Sequence, residues 1–189
     1  MQVPRFRMFA GPNGSGKTTF YESIRNAGLI NTEIYISADR IEETLRDNGS
    51  FNFNPYHIKV NRDSLVTHIK NSGLYLENKF DSNFLESFEI KSGKLSFPKL
   101  KFNSYHASFI ASYLVEMLLL NKKSFCFETV MSHPSKLNLL AKAKKLGYKT
   151  YLYFLFTDDV NINLKRIKER VLYGKHNVKK EKVIDHNSS

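Results

Sequence analysis

A chain of 189 residues, 41 % of them apolar, has the length and composition of a single globular domain and excludes wholesale disorder. Twenty-nine Lys and Arg against eighteen Asp and Glu give a formal charge of +11, a field that attracts polyanions and anionic substrates without identifying either. No apolar run approaches a membrane span and no signal-peptide pattern precedes the first predicted strand, so the expectation is a cytoplasmic protein with no membrane partner.

The first predicted strand covers 5–10. It runs into Gly11-Pro12-Asn13-Gly14-Ser15-Gly16-Lys17-Thr18, followed by Thr19, which fills every fixed position of the pattern G-x-x-x-x-G-K-[ST]. Gly11, Gly14 and Gly16 permit torsions that a Cβ would resist, so successive N–H groups can converge on an anion. Lys17 then reaches the β- and γ-phosphates of a nucleotide, and the Thr18 hydroxyl ligates Mg²⁺. Phe20, Ile24 and Ala27, stopped by Gly28, read as a helix that aims its positive end at the same phosphates. Strand, loop and helix in that order are the setting this motif requires.

A second strand is expected over 33–37, ending in Ser37-Ala38-Asp39-Arg40. Between about 47 and 103 the chain turns rich in Asn, Ser, Phe and Lys, with turn signals at 48–50, 54–55, 71–73 and 92–94. That stretch is too long for a plain crossover and reads as an inserted helical subdomain or cap within one 1–189 domain. A helix carrying Ile110, Leu114, Met117 and Leu118 leads to a third strand over 124–129, which ends in Glu128-Thr129. Cys126, the lone cysteine, excludes an internal disulfide and reads as a small buried hydrophobe.

A helix starting at Pro134 follows, with Leu137, Leu140, Ala141 and Leu146 as a core stripe before Gly147. The fourth strand, over 150–156, meets Asp158 or Asp159 as a cap, then a helix bearing Arg166 and Arg170 four residues apart. Strands alternating with helices imply an α/β fold with a mostly parallel sheet. Ligands in such sheets bind beyond the carboxyl ends of the strands, which singles out Lys17, Asp39 and Glu128. Asp39 is a candidate base or, alternatively, an N-cap for a helix over 41–46. Glu128 is a metal or substrate holder or, alternatively, an ordinary strand-end charge. The arginine pair, with the loop 173–176, reads as a basic lid or as a solvated face. No zinc-type histidine spacing occurs, so the expected metal is Mg²⁺ arriving with ATP.

Taken together, GPNGSGKTT at 11–19, YISADRI at 35–41, FCFETVMS at 125–132 and the block 153–184 with NLKRIKER and YGKHNV resemble the zeta-toxin-like P-loop kinases. The resemblance implies a three-layer α/β/α P-loop fold and transfer of the γ-phosphoryl of ATP to a hydroxyl of a small, nucleotide-sugar-like metabolite. It implies that Gly11 to Thr19 cradle ATP, that Lys17 and Thr18 handle phosphates and Mg²⁺, and that Asp39 acts as base. Glu128 and Thr129 would help hold the acceptor or the metal, Arg40 would contact the acceptor, and Arg166 and Arg170 would clamp the phosphates. Two departures stand out: the cation of Arg40 beside Asp39, and a C-terminus that stops where relatives continue into another strand, which gives the expectation of a shortened sheet. The resemblance also admits an antitoxin protein as partner. Two rival readings stay open. One is a polynucleotide or RNA-end kinase, motivated by the +11 charge, with the scattered lysines pointing away from nucleic acid. The other is a nucleotide-dependent binding module of a toxin–antitoxin pair without transfer chemistry.

Overall fold

A computed structural model describes residues 2–77, 79–80, 84–97, 103–130, 135–156, 161–163 and 165–166. The apolar run of the first predicted strand becomes β1 (Arg5–Ala10), whose Phe6, Met8, Phe9 and Ala10 are fully buried. Helix α1 (Lys17–Asn26) follows the glycine loop, and β2 (Tyr35–Ser37) follows α1.

Two compact units emerge, one comprising residues 1–35 and 122–189, the other residues 36–121. In the second, α2 (Ala38–Asn48) buries Ile41, Glu42 and Leu45 and ends at Gly49, whose φ of 63° is the left-handed conformation that terminates helices. Next come β3 (Ser50–Asn52), a single 3₁₀ turn (Asn54–Tyr56), α3 (Arg62–Lys70), and two one-turn helices, α4 (Gly73–Leu76) and α5 (Phe84–Ser87). Strands β4 (Glu89–Lys91) and β5 (Lys94–Ser96) then precede α6 (Ser104–Leu120).

The stretch expected to be a helical insert therefore also holds a three-stranded antiparallel sheet, ordered β3-β5-β4. Ser92 and Gly93, both at positive φ, form the two-residue hairpin turn between β4 and β5, a backbone twist that suits tightly linked strands. Helix α6 starts with a capping box: Asn103 accepts from the backbone of His106, whose ring faces the Asn103 amide.

The first unit resumes with β6 (Phe125–Thr129), α7 (Ser135–Lys145) and β7 (Lys149–Phe154). Residues 161–163 and 165–166 are helical, in keeping with the helix expected after the fourth strand. The main sheet is ordered β2-β6-β1-β7, and β1 pairs in parallel with both β6 and β7. The chain thus leaves central β1 toward one side and returns later to the other, a topological switch at the end of β1. Phe6 stacks on Phe125 across one face of the sheet, while Phe9 packs with Tyr21 and Tyr153 on the opposite face, toward α1.

Cys126 is fully buried, as expected, and burial pushes its thiol up to about 12. The stripe expected on α7 is corrected in part: Ala143 is the buried position, whereas Leu137 and Ala141 are exposed. The aliphatic periodicity there covers more of the helix than the sheet contacts. Pro134, Asp158 and Asp159 lie outside the described residues. No helix among the described residues is long and apolar enough to cross a membrane.

Candidate functional site

The loop 11–16 leaves β1 at the switch point and is built by three glycines at positive φ: Gly11 at 143°, Gly14 at 83° and Gly16 at 88°. At the first two, neighbouring backbone excludes any side chain as well. A Cβ on Gly11 would lie 2.1 Å from the Leu155 carbonyl oxygen, and one on Gly14 would lie 2.7 Å from that of Asn163. The chain is coiled through the loop, with the Ser15 amide donating to Pro12 O at 3.2 Å. Gly16 caps α1 without a side chain, so the positive end of the helix opens toward the loop.

Lys17 folds over this loop. Its buried ammonium donates to Gly11 O at 3.0 Å and to Pro12 O at 2.8 Å, using two of its three donors to brace the loop's first carbonyls. The charge is thereby held over the loop instead of extending into water. Glu128 arrives from the end of β6. Its Oε2 accepts from the Thr18 hydroxyl at 2.8 Å and from the Tyr35 hydroxyl, and its Oε1 lies 3.9 Å from the Lys17 ammonium. Beside these, Arg166 Nη1 donates to Gly14 O at 3.3 Å.

Two observations fit this site to a nucleotide and a hard cation. The Ser15 hydroxyl is buried in the loop without a hydrogen-bond partner among the described residues, an orphan a phosphate oxygen would satisfy. Thr18 donates its proton to Glu128, so its oxygen lone pairs are the part left for a cation, and Mg²⁺ takes oxygen ligands. Among the described residues no cluster of three or more His, Cys, Asp or Glu is placed to hold a metal ion.

Lys17, Thr18, Glu128 and Arg166 are thus brought together within the first unit. Thr129, half-buried, closes β6 opposite Ala10, and Thr19 is exposed on α1. Asp39, half-buried, and Arg40, exposed, occupy the first turn of α2 in the second unit. The alternative reading of Asp39 as an N-cap is corrected, because the helix starts earlier, at Ala38, with extended Ser37 in the cap position. Arg170 and the loop 173–176 lie outside the described residues. Tyr35 was not among the residues that sequence patterns single out. A tyrosine in a strand reads first as a strand former, and only the fold shows its hydroxyl on Glu128.

No protein-family model matches the chain, and no curated protein matches it in sequence. Among solved structures it is similar to the Pnkp1/Rnl/Hen1 RNA repair complex, with a TM-score of 0.56 and 14 % identity over 100 % of this chain. It also aligns with "a putative kinase from Chloroflexus aurantiacus J-10-fl", with a TM-score of 0.49 and 11 % identity over 92 % of this chain and 70 % of that one. The chain spans 44 % of the first of these, and at such identity the likeness is one of fold. The fold is mixed α/β with a mostly parallel central sheet.

Proposed function

We propose that this chain is an ATP-dependent phosphotransferase that moves the γ-phosphoryl group of ATP to a hydroxyl of a small, nucleotide-sugar-like metabolite. One observation carries the proposal: a left-handed glycine loop at the sheet's switch point, with Lys17 braced over it and Thr18 tied to a strand-end carboxylate. In the reaction the acceptor oxygen bonds to the γ-phosphorus as the bond to the β–γ bridging oxygen breaks. The acceptor proton passes to Asp39, and ADP leaves.

The loop amides and Lys17 would bind the phosphates, and Arg166, with Arg170, would offset the charge that develops on the transferring group. Mg²⁺, when bound, would screen the β- and γ-phosphates. Thr18 would hold it, with Glu128 fixing the direction of the Thr18 hydroxyl. Arg40 and Thr129 are assigned to the acceptor. Asp39 as base is supported by its place just after β2 and by the sequence resemblance, and the class of acceptor by that resemblance alone.

A second reading, an RNA-end kinase, is supported by the +11 charge and by the fold likeness to a protein of an RNA repair complex. One experiment addresses both. Purified protein is incubated with γ-labelled ATP and Mg²⁺, and either hydroxylated metabolites including UDP-amino sugars or RNA with a 5′-hydroxyl end. Label on a metabolite supports the first reading, and label on RNA, weakening with salt, supports the second. Lys17→Ala should abolish transfer and lower ATP affinity at least tenfold. Unchanged ATP binding by that variant would overturn the assignment of the loop.

A further inference from the structure

Two hydroxyls, not one, converge on a single oxygen of Glu128. Thr18 donates to Oε2 from the start of α1 and Tyr35 donates to the same atom from the start of β2. A carboxylate oxygen offers two lone-pair sites, so these donors fill Oε2 and turn Oε1 toward Lys17. The phenol is delivered by packing. Its ring stacks on Tyr21 with centroids 4.0 Å apart and planes 22° from parallel. Tyr21 meets Phe9 edge-on at 5.5 Å, and Phe9 stacks on Tyr153 at 4.9 Å. Tyr21 and Phe9 are fully buried, so the position of the Tyr35 oxygen is set by the core of the unit.

We propose that Tyr35 is a positioning residue for the cation side of the loop, an inference that rests on the nucleotide-binding reading above. Rotation about the terminal torsion of a glutamate is soft. Without Tyr35, Glu128 has one hydroxyl to hold it and an ammonium 3.9 Å away to draw it off. Swinging toward Lys17 would convert that approach into a contact ion pair, release the Thr18 hydroxyl, and neutralise the charge meant for phosphate. Tyr35 restrains this collapse. It keeps Glu128 on Thr18, where the carboxylate directs the hydroxyl that ligates the cation, and off Lys17.

The test is equilibrium binding of a fluorescent ADP to the full chain, in EDTA and in Mg²⁺, with Mn²⁺ paramagnetic resonance to count bound metal directly. Wild type should gain affinity from the metal. In Tyr35→Phe, which keeps the stacked ring, that gain should shrink roughly 10- to 100-fold, the usual effect of losing a group that orients a metal ligand. Tyr153→Phe removes a hydroxyl from the same aromatic cluster without touching Glu128 and should leave the gain intact. In a Glu128→Gln background, Tyr35→Phe should change nothing further, an outcome that a generally loosened core would not produce.

A full metal-dependent gain in Tyr35→Phe would overturn the inference while leaving the nucleotide site standing. Equal losses in both backgrounds would overturn it too. A wild type that binds no nucleotide would overturn both readings together.

Discussion

Gly14 provides the sharpest separation of backbone strain from contact. Its φ of 83° disfavours any residue with a Cβ, at about 1–2 kcal/mol. Its neighbours add a second term, since a Cβ there would lie 2.7 Å from Asn163 O and 3.0 Å from Asn163 Cα, both backbone atoms that cannot rotate aside. Gly28, at φ 72° with nothing among the described residues within 4 Å, carries the first term alone. Gly28→Ala should therefore cost about 1 kcal/mol, or roughly 2–4 °C in melting temperature for a chain of this size. Gly14→Ala should cost about 3 kcal/mol, or roughly 6–12 °C, because the loop must separate from the segment holding Asn163. Since Arg166 also contacts Gly14 O, that separation should weaken ADP binding at least tenfold, with Gly28→Ala binding as the parent does. Thermal melts and fluorescent-nucleotide titrations of the pair measure both effects. Equal melting losses and equal affinities would refute the claim that close backbone approach, beyond torsion, sets this loop.

Three further predictions follow from other parts of the molecule. Burial raises the Cys126 thiol from 9.0 to about 12, so the unfolded chain ionises first as pH rises. Stability from this group is complete below about pH 8 and falls through the range up to 12, by about 1 kcal/mol at pH 10. Denaturant melts across pH should show that loss, with Tyr148, also pushed up to about 12, adding in the same direction, and Cys126→Ala should flatten the thiol's share. His68 joins α3 to α6 through Glu116 and Ser112, each at 2.7 Å, so His68→Ala should destabilise the chain by about 2 kcal/mol in urea melts. Its ADP affinity should not change, because Glu116 and Ser112, which it bonds, are not among the residues assigned to the nucleotide loop. Arg166 is exposed and makes a long 3.3 Å bond, so Arg166→Ala should shift the melting temperature by less than about 2 °C. It should nevertheless lower nucleotide affinity several-fold at low salt, with the difference shrinking as salt screens the charge.

What the sequence disclosed follows the range of the interactions involved. The four strands of the main sheet and the loop after β1 rest on short apolar runs and glycine chemistry, so they are readable from neighbouring residues, to within one or two positions at strand ends. The antiparallel sheet of the second unit was not readable, because three-residue strands are too short to establish a period of two. Only its hairpin turn at Ser92-Gly93 left a trace. Leu137 illustrates the converse: helical spacing marks an apolar face, but how much of that face is covered depends on the partner. At the site, Lys17 and Thr18 were evident from a contiguous motif and Glu128 from its place at a strand end. Tyr35 was invisible because its meaning depends on a contact 93 positions away in the chain.

That contact depends in turn on register. β1 and β6 pair in parallel with Phe9 opposite Glu128, which puts the carboxylate on the same face as Phe9 and the α1 core. Phe125 and Phe127 alternate to the other face, where Phe6 stacks on Phe125. A slip of one residue would send Glu128 to that opposite face and place an aromatic or a threonine against Thr18. The buried Phe6–Phe125 pair opposes such a slip, since moving it would expose or displace two fully buried rings. The apolar residues of β6, which carry no chemistry themselves, are therefore what hold an acidic group within 2.8 Å of the Thr18 hydroxyl. Packing on one face of the sheet specifies the electrostatics on the other. Substitutions at Phe6 or Phe125 that preserve volume should leave the site intact, while truncation of either to Ala should loosen Glu128 without touching it.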